Sequence, residues 1–373
     1  MNTKAAVLYE SGLKRPYEKS HPLHIEAVEL SDPGPGEVLL QIKAVGLCHS
    51  DLSTINGNRP RPTPMVLGHE AVGIIVDCGP SVSTVQKGDT VSVVFVPSCG
   101  SCVPCSEGRP ALCEPGAAAN GKGTLLSGDI RIKGASGPVH HHLGVSGFAE
   151  YAVLSERSVV KIRDDIDYSI AALFGCAVLT GVGAVVNAAS VQPGTTVGIV
   201  GMGGIGLNAL LGAKAAGATN VVALDTNPEK LKVAASLGAT DCFSAEDPDV
   251  AAQIKSKYGG LQTVIEAAGI PAAFELAYTI TSRGGLTVSA GLSHPEKKIS
   301  MQHVSLVAEE RTIKGSYLGS CIPRRDIPRF IEMYRNGLLP VDRTLSGTLA
   351  LDDINQGFEN LAAGSVMRQV IVF

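Results

Sequence analysis

The feature that most constrains the fold is a glycine-rich turn that follows an apolar strand and opens a helix. Residues 197–206 read VGIVGMGGIG, an apolar run that ends in the pattern G-x-G-x-x-G. The first glycine permits a tight turn, the second lets a pyrophosphate approach the backbone, and the third lets helix and strand pack closely. Free N–H groups at the helix N-terminus favour the anion. The pattern predicts dinucleotide contacts at Gly201, Gly203, Gly204, Ile205 and Gly206.

Strands and helices alternate around this turn, which predicts a parallel, doubly wound α/β sheet. The next strand ends in Asp225, where a carboxylate accepts hydrogen bonds from an adenosine ribose and repels a 2′-phosphate. The sequence therefore favours NAD over NADP. Lys230 is either a further ribose contact or a solvated helix lysine, and Asn227 is a suitable N-cap. The predicted strands are 197–200, 221–225, 264–266 and 286–289, and the predicted helices are 204–216, 228–237 and 272–281.

The first third of the chain has a different pattern, of short strands rich in Val, Ile and Ala that are separated by Gly and Pro. This pattern predicts an all-β unit, barrel-like or sandwich-like, with long functional loops. The predicted strands are 5–9, 37–45, 71–78, 90–96 and 148–154, with a last strand at 368–373. Further helices are predicted at 171–189, 324–336 and 352–363.

Composition excludes several classes of protein. The chain of 373 residues is long enough for two or three domains, and its 45% of apolar residues excludes intrinsic disorder. A net charge of −4 argues against nucleic-acid and anionic-membrane partners. No run reaches about 18 apolar residues, and the opening MNTKAAVLYE has no apolar signal segment, so we expect a cytoplasmic protein with no membrane span. Nine cysteines in such a compartment do not form a disulfide framework.

Four of these cysteines lie close together on the polar, Gly- and Pro-rich loop 97–115. They have the spacing C-x2-C-x2-C-x7-C and are Cys99, Cys102, Cys105 and Cys113. Four thiolates can close a tetrahedron around Zn²⁺, and a closed site of this kind is structural. An iron–sulfur cluster is the main rival, because similar runs hold clusters, and a set of unliganded thiols is the plainest alternative.

A second group of potential ligands is dispersed along the chain. It comprises CHSD at 48–51, GHE at 68–70, and GC at 175–176 followed by TG at 180–181. Two cysteines and one histidine leave a fourth tetrahedral position open for water or substrate, as catalytic zinc requires. Spacing alone does not assemble these segments, because a lone Cys or His is more often a core residue.

Taken in order, these motifs resemble the zinc-containing medium-chain alcohol dehydrogenases. The likeness runs from end to end and closes with GSVMR at 364–368 before Phe373. Alcohol dehydrogenase is itself a standard example of a Cys2His zinc site, so the zinc assignment is not independent of the resemblance. The resemblance implies a GroES-like, mostly β catalytic domain at 1–177 and 318–373 and a Rossmann domain at 178–317, with NAD and substrate between them.

The resemblance further implies two Zn²⁺ ions per chain, one on the four-cysteine loop and one on Cys48, His69 and Cys176. Glu70 and Asp51 would surround the second ion, and Asp51 would orient His69. By the same resemblance, Ser50 would contact the substrate hydroxyl and carry its proton outward. His49 and Arg368 would contact the pyrophosphate, and Thr180 would contact the cofactor. The implied substrate contacts are Phe95, His142, Arg59, Leu292 and Tyr317.

The implied activity is reversible oxidation of a primary or secondary alcohol to an aldehyde or ketone. Zinc would lower the pKa of the alcohol, whose hydride would pass to the nicotinamide of NAD. The alternatives are a zinc medium-chain enzyme acting on a polyol or an aldehyde adduct, and a non-catalytic binding or structural protein on the same scaffold.

Departures from the family pattern bear on the substrate and on proton release. Many members carry a histidine where this chain has Ser53, so the proton must leave through the ribose, water or another group such as His49. Glutathione-dependent formaldehyde dehydrogenases carry acids in the region of Arg59 and Arg61 and an arginine near Ala117, so we discount that activity. The pocket arginine and His142 favour a polar, anionic, bulky aryl or terpenoid alcohol, unless the two arginines are simply solvated.

The segment 116–144 is retained, which in the family accompanies dimers rather than tetramers. The resemblance therefore implies a homodimer that pairs sheet edges near residues 286–318. Three cysteines, Cys78, Cys242 and Cys321, are predicted to be structural bystanders.

Overall fold

The computed structural model describes residues 1–373, which pack into two compact units. The first unit comprises Met1–Cys176, Ile322–Ile331 and Leu345–Phe373, and the second comprises Ala177–Cys321 and Glu332–Thr344. The first break falls beside the predicted one. The stretch 318–373, predicted as one piece, is shared between the units in the structure.

The first unit is built mostly from β-strands, as the sequence predicts. Five strands close a barrel in the order β1-β2-β7-β8-β4, and a larger sheet runs β10-β6-β5-β3-β18-β17, with β9 also paired to β3. The strands are β1 Asn2–Leu8, β2 Leu23–Leu30, β3 Glu37–Gly46, β4 Met65–Val66, β5 Glu70–Cys78, β6 Thr90–Val93, β7 Ile132–Gly134, β8 Gly137–His141, β9 Tyr151–Ser155, β10 Val159–Lys161, β17 Gly347–Leu349 and β18 Gln369–Val372.

Strand β3 is the centre of the larger sheet. It pairs antiparallel with β5 on one side, and with β9 and then β18 on the other. Alternate residues of β3, such as Val38, Leu40 and Ile42, are buried in the core with Phe148 and Phe358. The unit's helices are α1 Tyr17–Ser20, α2 His49–Ile55, α3 Val103–Ser106, α4 Glu114–Lys122, α5 Tyr168–Ala171 and α13 Ile354–Ala363, and helix α12 Pro323–Arg335 continues into the second unit.

The second unit is the predicted doubly wound sheet. Six parallel strands lie in the order β13-β12-β11-β14-β15-β16. The predicted N-cap forms, since Asn227 Oδ1 accepts the N–H of Glu229 at 2.9 Å. The strands are β11 Thr196–Val200, β12 Asn220–Asp225, β13 Asp241–Ser244, β14 Leu261–Glu266, β15 Thr281–Ser289 and β16 Thr312–Gly315, and the helices are α6 Ala177–Gly183, α7 Gly204–Ala215, α8 Pro228–Ser236, α9 Val250–Tyr258, α10 Pro271–Ile280 and α11 His303–Ala308.

The helical stretch predicted at 171–189 is helical in the structure but is broken into short segments. The chain forms α5, a 3₁₀ turn at Ala172–Gly175, then α6 and a π-helical turn at Ala184–Ala188. Cys176 interrupts it with φ −142° and ψ −72°, outside the helical region. A side chain at Gly175 would overlap the carbonyl oxygen of Val93, which shows how closely this break packs on β6.

No single helix combines the length and apolar composition of a membrane span. One bent pair of successive segments, Tyr168–Gly175 with Ala177–Ala188, meets both criteria jointly, on length and composition alone.

Candidate functional site

The structure brings the four loop cysteines together. One Sγ atom from each of Cys99, Cys102, Cys105 and Cys113 lies within 4.8 Å of the others, and none forms a disulfide. The Sγ atoms of Cys102 and Cys113 are 4.0 Å apart. Four thiolates at about 2.3 Å from a zinc ion would be spaced by about 3.8 Å, so the arrangement fits a closed tetrahedral site.

Backbone N–H groups point at these sulfur atoms. Cys99 Sγ accepts from the N–H groups of Ser101 at 3.4 Å and Cys102 at 3.3 Å, and these hydrogen bonds lower the pKa of Cys99 to about 6. Cys113 Sγ accepts from Cys99 N at 3.1 Å and from Gly116 N at 3.4 Å, and through Gly116 it caps helix α4. These N–H groups stabilise the thiolate of Cys99, the form that binds metal, whereas burial raises the pKa of Cys105 to about 12 and also raises that of Cys113.

The dispersed ligands also converge, although they come from three separate elements of the first unit. Cys48 follows β3 and precedes α2, His69 precedes β5, and Cys176 occupies the helix break. Ligand atoms of these three residues and of Glu70 lie within 4.8 Å of one another, and all four residues are buried. Gly68 makes the approach possible: its φ is +91°, and a Cβ there would lie 2.6 Å from Phe148 N.

Asp51 fixes the orientation of His69. The carboxylate is fully buried, accepts the N–H of Gly68 at 3.0 Å, and lies 3.1 Å from His69 Nδ1. The other ring nitrogen, Nε2, is buried and has no hydrogen-bond partner. An orphaned nitrogen beside two thiols is the donor set that Zn²⁺ prefers, so these residues fit a Cys2His zinc site.

Charge at this cluster also favours a cation. Burial alone would raise the pKa of Asp51, but the charge of His69 and the contact with His142 outweigh it and lower that pKa to about 2. Burial opposes a charged imidazole, yet Asp51 and Cys48 raise the pKa of His69 to about 10. A hydrogen bond with Cys176 and the charge of His69 hold the pKa of Cys48 well below its usual range, despite burial.

Glu70 forms a buried ion pair with Arg368, whose side chain is 4% exposed. Both residues lie beside strand ends of the larger sheet, because β18 pairs with β3 and β3 pairs with β5. The predicted pyrophosphate contact of Arg368 stays a prediction, and in the structure its guanidinium contacts Glu70.

Two of the predicted pocket residues border this cluster. The ring of Phe95 stands edge-on to His69, with centroids 5.4 Å apart, and the ring of His142 does so at 5.6 Å. On helix α2, His49 is exposed, and Ser50 and Ser53 are half-buried. Arg59 is half-buried beyond that helix, with its backbone N–H bonded to the carbonyl oxygen of Ser53.

The dinucleotide turn of the second unit has the predicted geometry. Gly201 has φ +97°, and a side chain there would meet Ala268 N at 2.7 Å. A Cβ on Gly206 would overlap the carbonyl oxygen of Gly201, whereas a Cβ on Gly203 would meet nothing within 4 Å. The open face at Gly203, the N-cap of α7, leaves room for a pyrophosphate.

Asp225 lies at the end of β12 and accepts two backbone N–H groups, from Met202 at 2.6 Å and from Asn227 at 2.8 Å. It is therefore oriented toward the glycine turn. The remaining predicted contacts of this unit are Lys230, half-buried; Thr180, buried; Leu292, 55% exposed; and Tyr317, 37% exposed.

Comparison with known proteins decides the family. The Alcohol dehydrogenase GroES-like domain family matches residues 34–164, and the Zinc-binding dehydrogenase family matches residues 204–336. S-(hydroxymethyl)glutathione dehydrogenase of Paracoccus denitrificans is 34% identical over 384 residues, which cover 100% of each chain. The chain belongs to the zinc-binding alcohol dehydrogenase family.

Solved structures of this family are similar throughout. Benzyl alcohol dehydrogenase from Acinetobacter calcoaceticus has a TM-score of 0.93 at 30% identity, covering 100% of this chain and 99% of its own. Acetophenone reductase from Geotrichum candidum, solved in complex with NAD, has a TM-score of 0.78 at 27% identity, covering 100% and 97%. Membership of this family confirms the predicted fold class. It also confirms the predicted zinc and nicotinamide cofactor.

Sequence reasoning missed one supporting residue of this alcohol dehydrogenase site. Asn120 is buried on α4 and donates its Nδ2–H to the carbonyl oxygen of Phe95 at 2.7 Å, while Arg61 donates to the carbonyl oxygen of Asn120 at 3.1 Å. No motif marks this asparagine, and the one available signal was its place on the segment after the fourth loop cysteine.

Proposed function

We propose that this protein oxidises a primary or secondary alcohol to an aldehyde or ketone, reversibly, with NAD as hydride acceptor. The observation that carries the proposal is the buried set Cys48, His69 and Cys176, with Asp51 on the far side of the imidazole. The relatives are named for alcohol and adduct dehydrogenation, which supports the same chemistry.

These three side chains would hold the catalytic zinc, and the four loop cysteines would hold the structural one. Bound zinc supplies a Lewis acid that makes an alcohol hydroxyl more acidic, and bound NAD supplies the hydride acceptor. The chain's own residues position the metal ligands. Asp51 fixes His69 so that Nε2 faces the two thiols, and the Glu70–Arg368 pair neutralises charge beside them.

Proton release would begin at Ser50, which is half-buried on α2. The hydroxyl of Ser53, at the position where the resemblance implies a histidine in many members, donates to the carbonyl oxygen of His49 at 2.8 Å. Its proton is therefore engaged within the helix. We propose that the proton leaves through the exposed His49, the cofactor ribose or water.

The direct test is a metal assay followed by a substrate panel. Two zinc ions per chain, with NADH formed from simple alcohols, support the proposal. Turnover of a polyol or of S-hydroxymethylglutathione in preference to simple alcohols would favour the alternatives. A chain with bound zinc that oxidises none of these would be a binding protein on this scaffold.

The coenzyme preference rests on Asp225. Replacing it with asparagine (Asp225→Asn) keeps one side-chain oxygen that accepts a backbone N–H, and it removes the charge that would repel a 2′-phosphate. We expect the ratio of kcat/KM for NADP to that for NAD to rise about tenfold or more. Glu229→Gln, which removes an exposed carboxylate on α8, is the matched control and should leave the ratio unchanged. An unchanged ratio in Asp225→Asn would contradict the ribose assignment.

We propose that the protein is a homodimer joined at the β16 edge of its parallel sheet. All four residues of β16 are exposed, and an edge strand offers unpaired backbone groups to a second copy. Ile313 on this strand is 37% exposed, and Val304 and Val307 on helix α11, which precedes the strand in the chain, are 67% and 66% exposed. The small-molecule alcohol is the other proposed partner.

Ile313→Asp should convert the dimer into a monomer, because a charge on the joined edge would be desolvated. Sedimentation velocity measures the outcome. Leu338→Asp is the control, since Leu338 is 57% exposed but lies outside the sheet. A parent chain that sediments as a monomer would refute the proposed pairing.

A further inference from the structure

We infer that His142 is a positioning residue that shares Asp51 with the zinc ligand His69. The inference rests on the proposed zinc function and adds a role for a residue first assigned to the substrate pocket. Its basis is a buried carboxylate with an imidazole on each side: Asp51 Oδ1 lies 3.1 Å from the Nδ1 atoms of both His69 and His142.

The backbone holds His142 in this place. Strand β8 ends at His141 and runs parallel to β4, with Val66 opposite His141. The parallel pairing brings the turn after β8 alongside the segment that carries Gly68 and His69. Two further bonds join the segments, from Gly147 N to Gly68 O at 2.8 Å and from Phe148 N to Leu67 O at 3.0 Å.

Within the turn, the backbone N–H and carbonyl oxygen of His142 are both hydrogen-bonded. Its N–H donates to Ser146 Oγ at 3.0 Å, and its carbonyl oxygen accepts from the N–H groups of Val145 and Ser146. The side chain is 2% exposed and its ring is edge-on to His69. A buried imidazole held this firmly is placed to support Asp51 as well as to line the predicted substrate pocket.

The chemistry of the contact sets its direction. An ionised carboxylate only accepts hydrogen bonds, so His142 supports Asp51 in the tautomer whose Nδ1 carries the proton. Three nitrogen atoms lie within 3.1 Å of Asp51 Oδ1: those of Gly68 and His69 are hydrogen-bonded to it, and His142 Nδ1 lies at ion-pair distance. These three contacts hold the Oδ1 end of the carboxylate, and the carboxylate holds the ring of His69. Removing the His142 donor frees Asp51 to rotate, which loosens His69 as a metal ligand.

The test measures zinc release from the purified holoenzyme to a chromogenic chelator. Release from the parent should show two phases, and Cys176→Ser identifies the catalytic phase by its loss. His142→Phe keeps the ring but not the donor, and should speed the catalytic phase by about 10- to 100-fold while leaving the four-cysteine phase unchanged. The d–d spectrum of the cobalt-substituted variant should shift as well.

A pair of amide variants separates hydrogen bonding from packing. His142→Asn places an N–H near the position of Nδ1 and should keep the parent release rate, whereas His142→Gln places it near Nε2 and should behave like His142→Phe. His140→Phe is the matched control, because His140 lies two residues away in the same run and contacts a different region, at Gly123.

The outcomes are distinct. Equal release from parent and His142→Phe, or identical behaviour of the Asn and Gln variants, would overturn the role of His142. If His142→Phe does not fold, the zinc release rates of His142→Asn and His142→Gln provide the test. A parent chain that lacks the catalytic zinc would overturn the proposed function instead, and the metal content of the parent is measured first.

Discussion

Replacing Cys176 with serine should remove one zinc ion per chain and nearly all alcohol oxidation. Cys176 occupies the break between two helical segments, so a serine of similar size fits the same backbone. Its hydroxyl is a poor zinc ligand, and the buried site would keep only two of its three proposed protein ligands, Cys48 and His69. Lewis-acid stabilisation is worth several kcal/mol, so we expect activity to fall at least about a thousandfold.

Two measurements check this result. Atomic absorption should give one zinc per chain in Cys176→Ser and two in the parent. Cys242→Ser is the control, because it also removes one cysteine, an exposed one outside both clusters, and it should keep both zinc ions and full activity. Full activity in Cys176→Ser would exclude this cysteine from the site.

The second large effect is expected at Cys113, which both belongs to the four-cysteine cluster and caps helix α4. Cys113→Ser should release the structural zinc and lower the free energy of unfolding by about 4 kcal/mol or more, because the polar loop has little else to order it. Limited proteolysis should then cut the chain within 97–115.

Cys113→Ala should be less stable than Cys113→Ser by about 1 kcal/mol. Serine still accepts the N–H of Gly116 as a helix cap, whereas alanine does not. Cys78→Ser, at a half-buried cysteine outside both clusters, should keep the parent stability within about 1 kcal/mol. If Cys113→Ser kept its zinc and resisted the protease, the structural site would be refuted.

The sequence predicted those features whose residues lie close together along the chain. The glycine turn at 201–206 and the cysteines at 99–113 are short patterns, and each becomes a local structure with the expected geometry. The helical stretch at 171–189 was predicted without a break, because apolar, Ala-rich residues lie on both sides of Cys176 and composition does not record a backbone break.

The sequence patterns could not predict contacts between residues that lie far apart in the chain. The approach of His142 to Asp51 depends on the parallel pairing of two short strands, β4 and β8, of which neither was predicted. The ion pair of Glu70 with Arg368 likewise depends on the register of β18 against β3. The resemblance named these residues as candidates, but their partners come from tertiary packing.

The position of β18 has a consequence for how the protein is made. Its residues Val370 to Val372 pair with Gly46 to Ala44 of β3, the strand end that leads to Cys48. Roughly 320 residues separate the two strands, so a ribosome adding about 5–20 residues per second needs about 15–65 s to make the second after the first. During that time the end of β3 beside the zinc ligand is an open edge, able to pair with other chains. The ribosome makes most of the first unit before the second unit and the rest of it afterwards. A chain whose translation stops within the second unit therefore lacks β18 and leaves the edge of β3 exposed.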